Sequence, residues 1–274
     1  MFPTFRADLH CHSTCSDGSL TPVELVQLAQ KQSLQGLAIT DHDNVAAYAM
    51  AKEEAQKRSI ALIPGVEFSS RHNNENVHIL GYGFKIDHPQ IQALCNWHLS
   101  RRWERCQAIL ERLDKLGLSL SAEEVAAQTS SGLIGRPHIA AAMVKKGLVG
   151  SLKEAFQLYL GDGKNAYVPG ESVSSADTIE ALHLAGGVAI IAHPHLIQHP
   201  HLFDSLLHLP FDGIEVFYGR FHVKQVKRWD QVAKQRNWLI TGGSDFHGSI
   251  KPDLPLGASW IGEEPFRKLA EACR

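Results

Sequence analysis

Short apolar runs recur along the chain, separated by stretches whose apolar residues return every three or four positions. The runs are FRADLHCH (5–12), GLAIT (36–40), ALIPGVEF (61–68), VHILGYGF (77–84), GVAIIAH (187–193), GIEVFY (213–218) and WLITGGSDF (238–246). Near-continuous apolarity over such lengths predicts strands covered on both faces by helices. The first helical pattern opens on Thr21-Pro22-Val23-Glu24, a capping box with proline at the first helical position, and carries a stripe of Val23, Leu25, Val26, Leu28 and Ala29. Another runs from about Ser175 to Ala185 and stops at Gly186-Gly187, a C-terminal signal followed at once by a strand. Seven strands alternating with helices predict an α/β fold, either a barrel or a wound parallel sheet.

One block breaks the alternation. From Leu99 to Gly170 the pattern is helical, with no strand candidate until AYVPG (166–170). The block holds 10 Lys/Arg against 7 Asp/Glu, whereas the remainder holds 17 against 22. A helical insertion (99–170) is expected between the fourth and fifth strands of the α/β unit made by 1–98 and 171–274, and its mildly basic surface would suit an anionic substrate. The net charge of the chain is only −2, which argues against a processive nuclease with a strong basic track. No apolar run reaches the roughly 20 residues of a membrane span. The first residues lack the pattern of a signal peptide. Five scattered cysteines with no C-x-x-C pair fit reduced thiols. A cytoplasmic protein without a membrane or obligate protein partner is the expectation.

The 16 histidines change the picture through their placement. Apolar runs end in His10 and His12, in Asp41-His42-Asp43, in Glu67, in His193, in Glu215, and in Asp245 with His247. Strand ends that share one rim are where sites form in parallel α/β architectures. Side chains two apart on a strand point the same way, so His10 and His12 can reach one ion, and Asp8 shares their face as a carboxylate able to orient an imidazole. Cys11 alternates away and should pack against a helix. His78 sits near the start of its run, where the rim argument does not place it. A strand-end aspartate is commonly a helix N-cap, an alternative reading for Asp17 and Asp43. An unpaired carboxylate at Glu67, inside an apolar run, would be costly without a cation or donors.

The motifs Asp8-Leu9-His10-Cys11-His12-Ser13, Ser16-Asp17-Gly18, Thr40-Asp41-His42-Asp43, Gly65-Val66-Glu67, Ala192-His193-Pro194 and Gly243-Ser244-Asp245-Phe246-His247 resemble, in order, those of the polymerase and histidinol phosphatase (PHP) superfamily. Gly135-Arg136-Pro137-His138 and Gly161-Asp162-Gly163-Lys164 resemble the insertion of its nucleotide-phosphatase branch. The resemblance implies a distorted seven-stranded (β/α) barrel with an α-helical insertion and two or three divalent ions, manganese ahead of iron or zinc. One ion would take His10, His12, Glu67 and Asp245, and Glu67 would bridge to a second held by His78 and His193. Asp17, His42 and His247 would take the third.

Glu67, Asp245 and His247 are then the catalytic candidates, and Arg136, His138, Asp17 and Lys164 the substrate-binding ones. The implied activity is phosphoesterase hydrolysis by a metal-activated water on small nucleotides such as nucleoside 3′,5′-bisphosphates, with 5′-to-3′ trimming of short RNA. A phosphatase for histidinol phosphate or another metabolite, and a non-catalytic metal-binding module, are the alternatives. After His193 the chain departs from the family pattern: His195-Leu196-Ile197 stand where a basic or small residue is expected.

Overall fold

The structure is a computed structural model that describes residues 5–129, 132–171, 173–197, 199–219 and 223–273. Met1–Thr4, part of the segment read for a signal peptide, lie outside the described residues. The elements run β1 (Ala7–Cys11), α1 (Pro22–Lys31), β2 (Gly36–Ile39), α2 (Ala46–Lys57), β3 (Ala61–Leu62), β4 (Gly65–His72), β5 (Glu75–Tyr82), α3 (Pro89–Lys115), α4 (Ala122–Ala126), α5 (Arg136–Lys145), α6 (Leu152–Ala155), β6 (Val173–Ser174), α7 (Ser175–Leu184), β7 (Val188–Ile191), α8 (Pro200–Leu206), β8 (Gly213–Tyr218), α9 (Val223–Arg236), β9 (Leu239–Gly243) and α10 (Glu263–Ala272). Thr21 and Glu24 close the expected capping box on α1, and Gly186 ends α7 at φ +80°, a conformation glycine adopts without strain.

The strands form two sheets, β1-β2-β3 and β6-β4-β5-β7-β8-β9. Backbone hydrogen bonds join them along both edges. His12 N–H donates to Phe246 C=O (2.8 Å) and Asp245 N–H to His10 C=O (2.7 Å), while Glu67 N–H donates to Asp41 C=O (3.2 Å) and Asp43 N–H to Glu67 C=O (3.0 Å). Ala7, Leu9, Leu80, Tyr82, Ile190 and Ala192 pack as one cluster drawn from both sheets.

Two expectations change. The large sheet is mixed, because β5 runs antiparallel to both β4 and β7. The cause is a two-residue hairpin at Asn73-Asn74, both at positive φ (48° and 64°), the twist that matches right-handed strands. AYVPG is not a strand. Its carbonyls at Tyr167 and Val168 accept from the Arg112 and Arg105 side chains instead of a neighbouring strand, Pro169 has no N–H to donate, and the strand on the side of β4 away from β5 is the two-residue β6.

The helical block has a core of its own, built on Cys106, Ile109, Leu113, Val125, Ile139 and Met143. Helix α3 runs unbroken through position 99: Ile91 and Leu94 pack with the large sheet and α7, whereas its second half belongs to the block's core.

Candidate metal centre

Glu67 on β4 is the hub. Its side chain is 1% exposed, and its two oxygens face different histidines. Oε2 lies 3.3 Å from His10 Nε2, 3.2 Å from His12 Nε2 and 3.3 Å from His42 Nδ1. Oε1 lies 2.7 Å from His78 Nδ1 and 2.9 Å from His193 Nε2. The antiparallel course of β5 explains His78: the start of that strand lies beside the end of β4, with Ser69 paired to His78.

Asp245 closes the group from the β9 side, with Oδ1 3.1 Å from His12 Nε2 and 3.5 Å from His10 Nε2. Its Oδ2 accepts from Tyr218 Oη (2.7 Å) and Lys251 Nζ (2.8 Å), which turn Oδ1 towards the histidines. Asp17 lies 3.4 Å from His247 Nε2. His193 and Asp245 hold positive φ (25° and 53°), backbone strain of the kind that concentrates at functional sites.

Among the described residues three groups place their donor atoms within 4.8 Å of one another: His10, His12, Glu67 and Asp245; His42, Glu67 and His78; and His12, Asp17, His42 and His247. The first coincides with the expected first ion set. The third contains the expected Asp17, His42 and His247 and adds His12. In the second, His42 stands where His193 was expected, although His193 touches the same Glu67 oxygen as His78.

The donors fit divalent cations. Both ring nitrogens of His12 and Nδ1 of His42 are buried with no hydrogen-bond partner among the described residues, an expensive arrangement that cation coordination would relieve. Imidazole and carboxylate without thiolate suit manganese, iron or zinc.

Electrostatics point the same way. Burial pushes the Glu67 carboxyl up, but His42, His78 and His10 outweigh it and hold the group well below the usual range. Asp17 and Asp245 are likewise held low against burial by their histidines. His12 is carried up to about 9, the carboxylates overcoming burial, whereas burial takes His42 down to about 3. A cation bound among these groups would displace the protons they share, so its uptake would be coupled to proton release.

Asp8 differs from its expected role, and the capping alternative for Asp43 is not met. Asp8 accepts the backbone N–H groups of His10 (3.2 Å), Ser244 (2.9 Å) and Gly257 (2.8 Å), so it ties β1 to the segment after β9 rather than orienting an imidazole. The orienting carboxylate is Glu215, whose Oε1 lies 2.8 Å from His10 Nδ1 and whose Oε2 accepts from His193 N–H (2.7 Å). Asp43 does not cap α2. It accepts from Ser69 N–H, Ser69 Oγ and the Arg102 guanidinium. Cys11 turns away from the histidines as expected, buried among residues of α1 and α2.

Asp17, His42 and His78 line a cavity of about 320 Å³ together with Arg101, Arg102, Arg105, Arg136 and His138. Arg136 pairs with Asp162 and donates to Leu160 C=O. His138 Nδ1 accepts from Gly135 N–H, holding the ring at the start of α5. Lys164 is exposed and outside this lining. Sequence reading missed Arg101, Arg102 and Arg105, whose i, i+4 (101/105) and i, i+3 (102/105) spacings on α3 could have flagged one helix face, and Tyr218 and Lys251, for which the sequence carries no signal.

A buried imidazole–carboxylate cluster at strand ends, opening into an arginine-lined cleft, defines a metal-binding site of the hydrolytic type. The PHP domain family matches residues 8–157. The chain is 36% identical to a 5′-3′ exoribonuclease of Haemophilus influenzae over 94% of this chain and 93% of that one. It is 34% identical to a 3′,5′-nucleoside bisphosphate phosphatase of Chromobacterium violaceum, over 88% and 86%. A Bifidobacterium adolescentis structure described as a metal-dependent phosphoesterase superposes with TM-score 0.89 at 31% identity, covering 97% of this chain and 96% of that one. The chain belongs to the PHP domain family, and it is a metal-dependent phosphoric ester hydrolase with the mixed α/β fold of its relatives. No described helix is long and apolar enough to cross a membrane.

Proposed function

We propose that the protein removes phosphate from small nucleotides, nucleoside 3′,5′-bisphosphates foremost, and trims short RNA from its 5′ end. The reading rests on one observation: Asp17, His42 and His78 of the cluster line the same cavity as Arg136 and His138. It is supported by relatives named for these two activities. Two or three divalent ions, manganese before iron or zinc, would be held by His10, His12, Asp17, His42, Glu67, His78, His193, Asp245 and His247. The ring of β1, β2, β4, β5, β7, β8 and β9 is read as a distorted seven-stranded barrel, with residues 99–170 as its insertion.

Bound ions supply Lewis acidity, neutralise phosphate charge and lower the pKa of water in the site. The protein's part is positioning. Glu67 joins the groups through its two oxygens, and Tyr218 with Lys251 fixes Asp245. His247 Nδ1 lies 2.9 Å from the Asp245 carbonyl, which can only accept, so its Nε2 lone pair is left for a cation. Arg136 offers a planar fork to phosphate oxygens once its exposed partner Asp162 gives way.

The test is phosphate release from a panel of nucleotides and sugar phosphates with added manganese. Turnover of 3′,5′-bisphosphates that is abolished in Glu67→Ala and His193→Ala supports the reading. Turnover of histidinol phosphate alone would replace it.

A further inference from the structure

The arginines of the cavity differ in whether their charge is already matched. Arg102 is spent on the fully buried Asp43 and on Ser69 Oγ. Arg101 lies within ion-pair distance of Glu104 and Glu171, and Arg136 pairs with Asp162. Arg105 has no carboxylate within ion-pair distance among the described residues. It is half-buried, and its Nε donates to Val168 C=O at 2.8 Å. The guanidinia of Arg105 and Arg136 lie 5.8 Å and 5.4 Å from the centre of the same Tyr167 ring. Two cations on one ring, served by one exposed carboxylate, leave positive charge uncompensated in a cleft that runs to the metal ligands. An anion placed there would relieve it. Burial, and then Arg136 beside it, draws Arg105 down to about 10, the direction expected of a crowded cation.

We propose that Arg105, together with Arg136 on the shared Tyr167 ring, forms a second anion subsite that holds the phosphate not being hydrolysed. It would thereby set a preference for nucleotides with two phosphates over those with one. The inference rests on the bisphosphate reading above. It adds a residue outside the sequence motifs, and it gives the arginine wall a task separate from the metal cluster, which takes the reacting phosphate.

Steady-state kinetics of the metal-loaded enzyme on a nucleoside 3′,5′-bisphosphate and on the matching 3′- and 5′-monophosphates test it. Arg105→Ala should lower kcat/KM for the bisphosphate about 30-fold or more, mostly through KM, as expected when one partner of a close charge pair is truncated. Monophosphate turnover should hardly move, and the preference should collapse. Arg105→Lys should recover part of it. Arg105→Gln keeps a donor near the Val168 carbonyl and should behave like alanine if charge is what matters, which separates the subsite from a folding defect. Equal losses on all three substrates, or none on the bisphosphate, would overturn the subsite while leaving the bisphosphate reading standing. A wild-type enzyme with no preference for the bisphosphate overturns both, and shows it before any variant is made.

Discussion

Glu215 and His10 form a fully buried pair, with carboxylate Oε1 2.8 Å from imidazole Nδ1, on the opposite ring nitrogen from the one facing Glu67. A carboxylate so placed fixes the tautomer that leaves Nε2 free for a cation, and its other oxygen pins the strained His193 backbone. Glu215→Gln should therefore weaken manganese affinity about 10- to 100-fold without preventing folding. Equilibrium dialysis measures it, and unchanged affinity would reduce Glu215 to packing.

Metal removal should cost stability as well as activity. The unpartnered nitrogens of His12 and His42 and the ionised Glu67, Asp17 and Asp245 are left facing one another when the cation is absent. Free manganese at 100 times its dissociation constant should stabilise the fold by about 2.7 kcal/mol. Calorimetry of chelated and reloaded protein checks this, and coincident melting curves would count against the site.

Arg102→Met should be severe for its position. It strips the cation from an Asp43 carboxylate with no exposed surface, although Ser69 still donates to it. The expected cost is about 3 kcal/mol, the low end for a broken buried pair because the arginine is itself a fifth exposed. Adding Asp43→Asn should return much of it. Denaturant titration of the two variants decides, and a cost within error for the single change would show that the pair contributes nothing.

Leu113→Ala tests whether the helical block is an insertion with its own stability. Leu113 is fully buried in a core that holds no strand residue. The cavity should cost about 2–5 kcal/mol and open residues 99–170 to limited proteolysis while bound metal is retained. Loss of metal in step with cleavage would mean the block and the two sheets unfold as one.

Much of this site was legible in residue order because the cues were local. His10 and His12 are two apart on one strand, Asp245 and His247 end another run, and the capping box of Thr21 and Glu24 needs only four residues. Glu67 stood out as a carboxylate in an apolar segment. His78 was legible only through family resemblance, since its position at a strand start makes sense only once β5 is seen to run backwards. The Asn73-Asn74 turn was a usable hairpin signal that went unread.

Asp8 shows the opposite failure. Its spacing from His10 was read as a shared face, yet its carboxylate went to backbone N–H groups of Ser244 and Gly257, more than 230 positions away. The strand expected at AYVPG failed for a similar reason: arginine side chains on α3 satisfied the carbonyls that a neighbouring strand would have taken.

Residue order alone thus pointed to the histidines and carboxylates that gather into one cluster and to their place at strand ends, because periodicity and donor type are properties of a few neighbouring residues. Only the folded chain decided which oxygen of Glu67 faces which histidine, that Glu215 rather than Asp8 steadies His10, and that Arg105 shares the Tyr167 ring with Arg136. Those depend on the direction of β5, on the closure between β9 and β1, and on where α3 crosses the rim. These are long-range packing outcomes that the chain's local pattern does not contain.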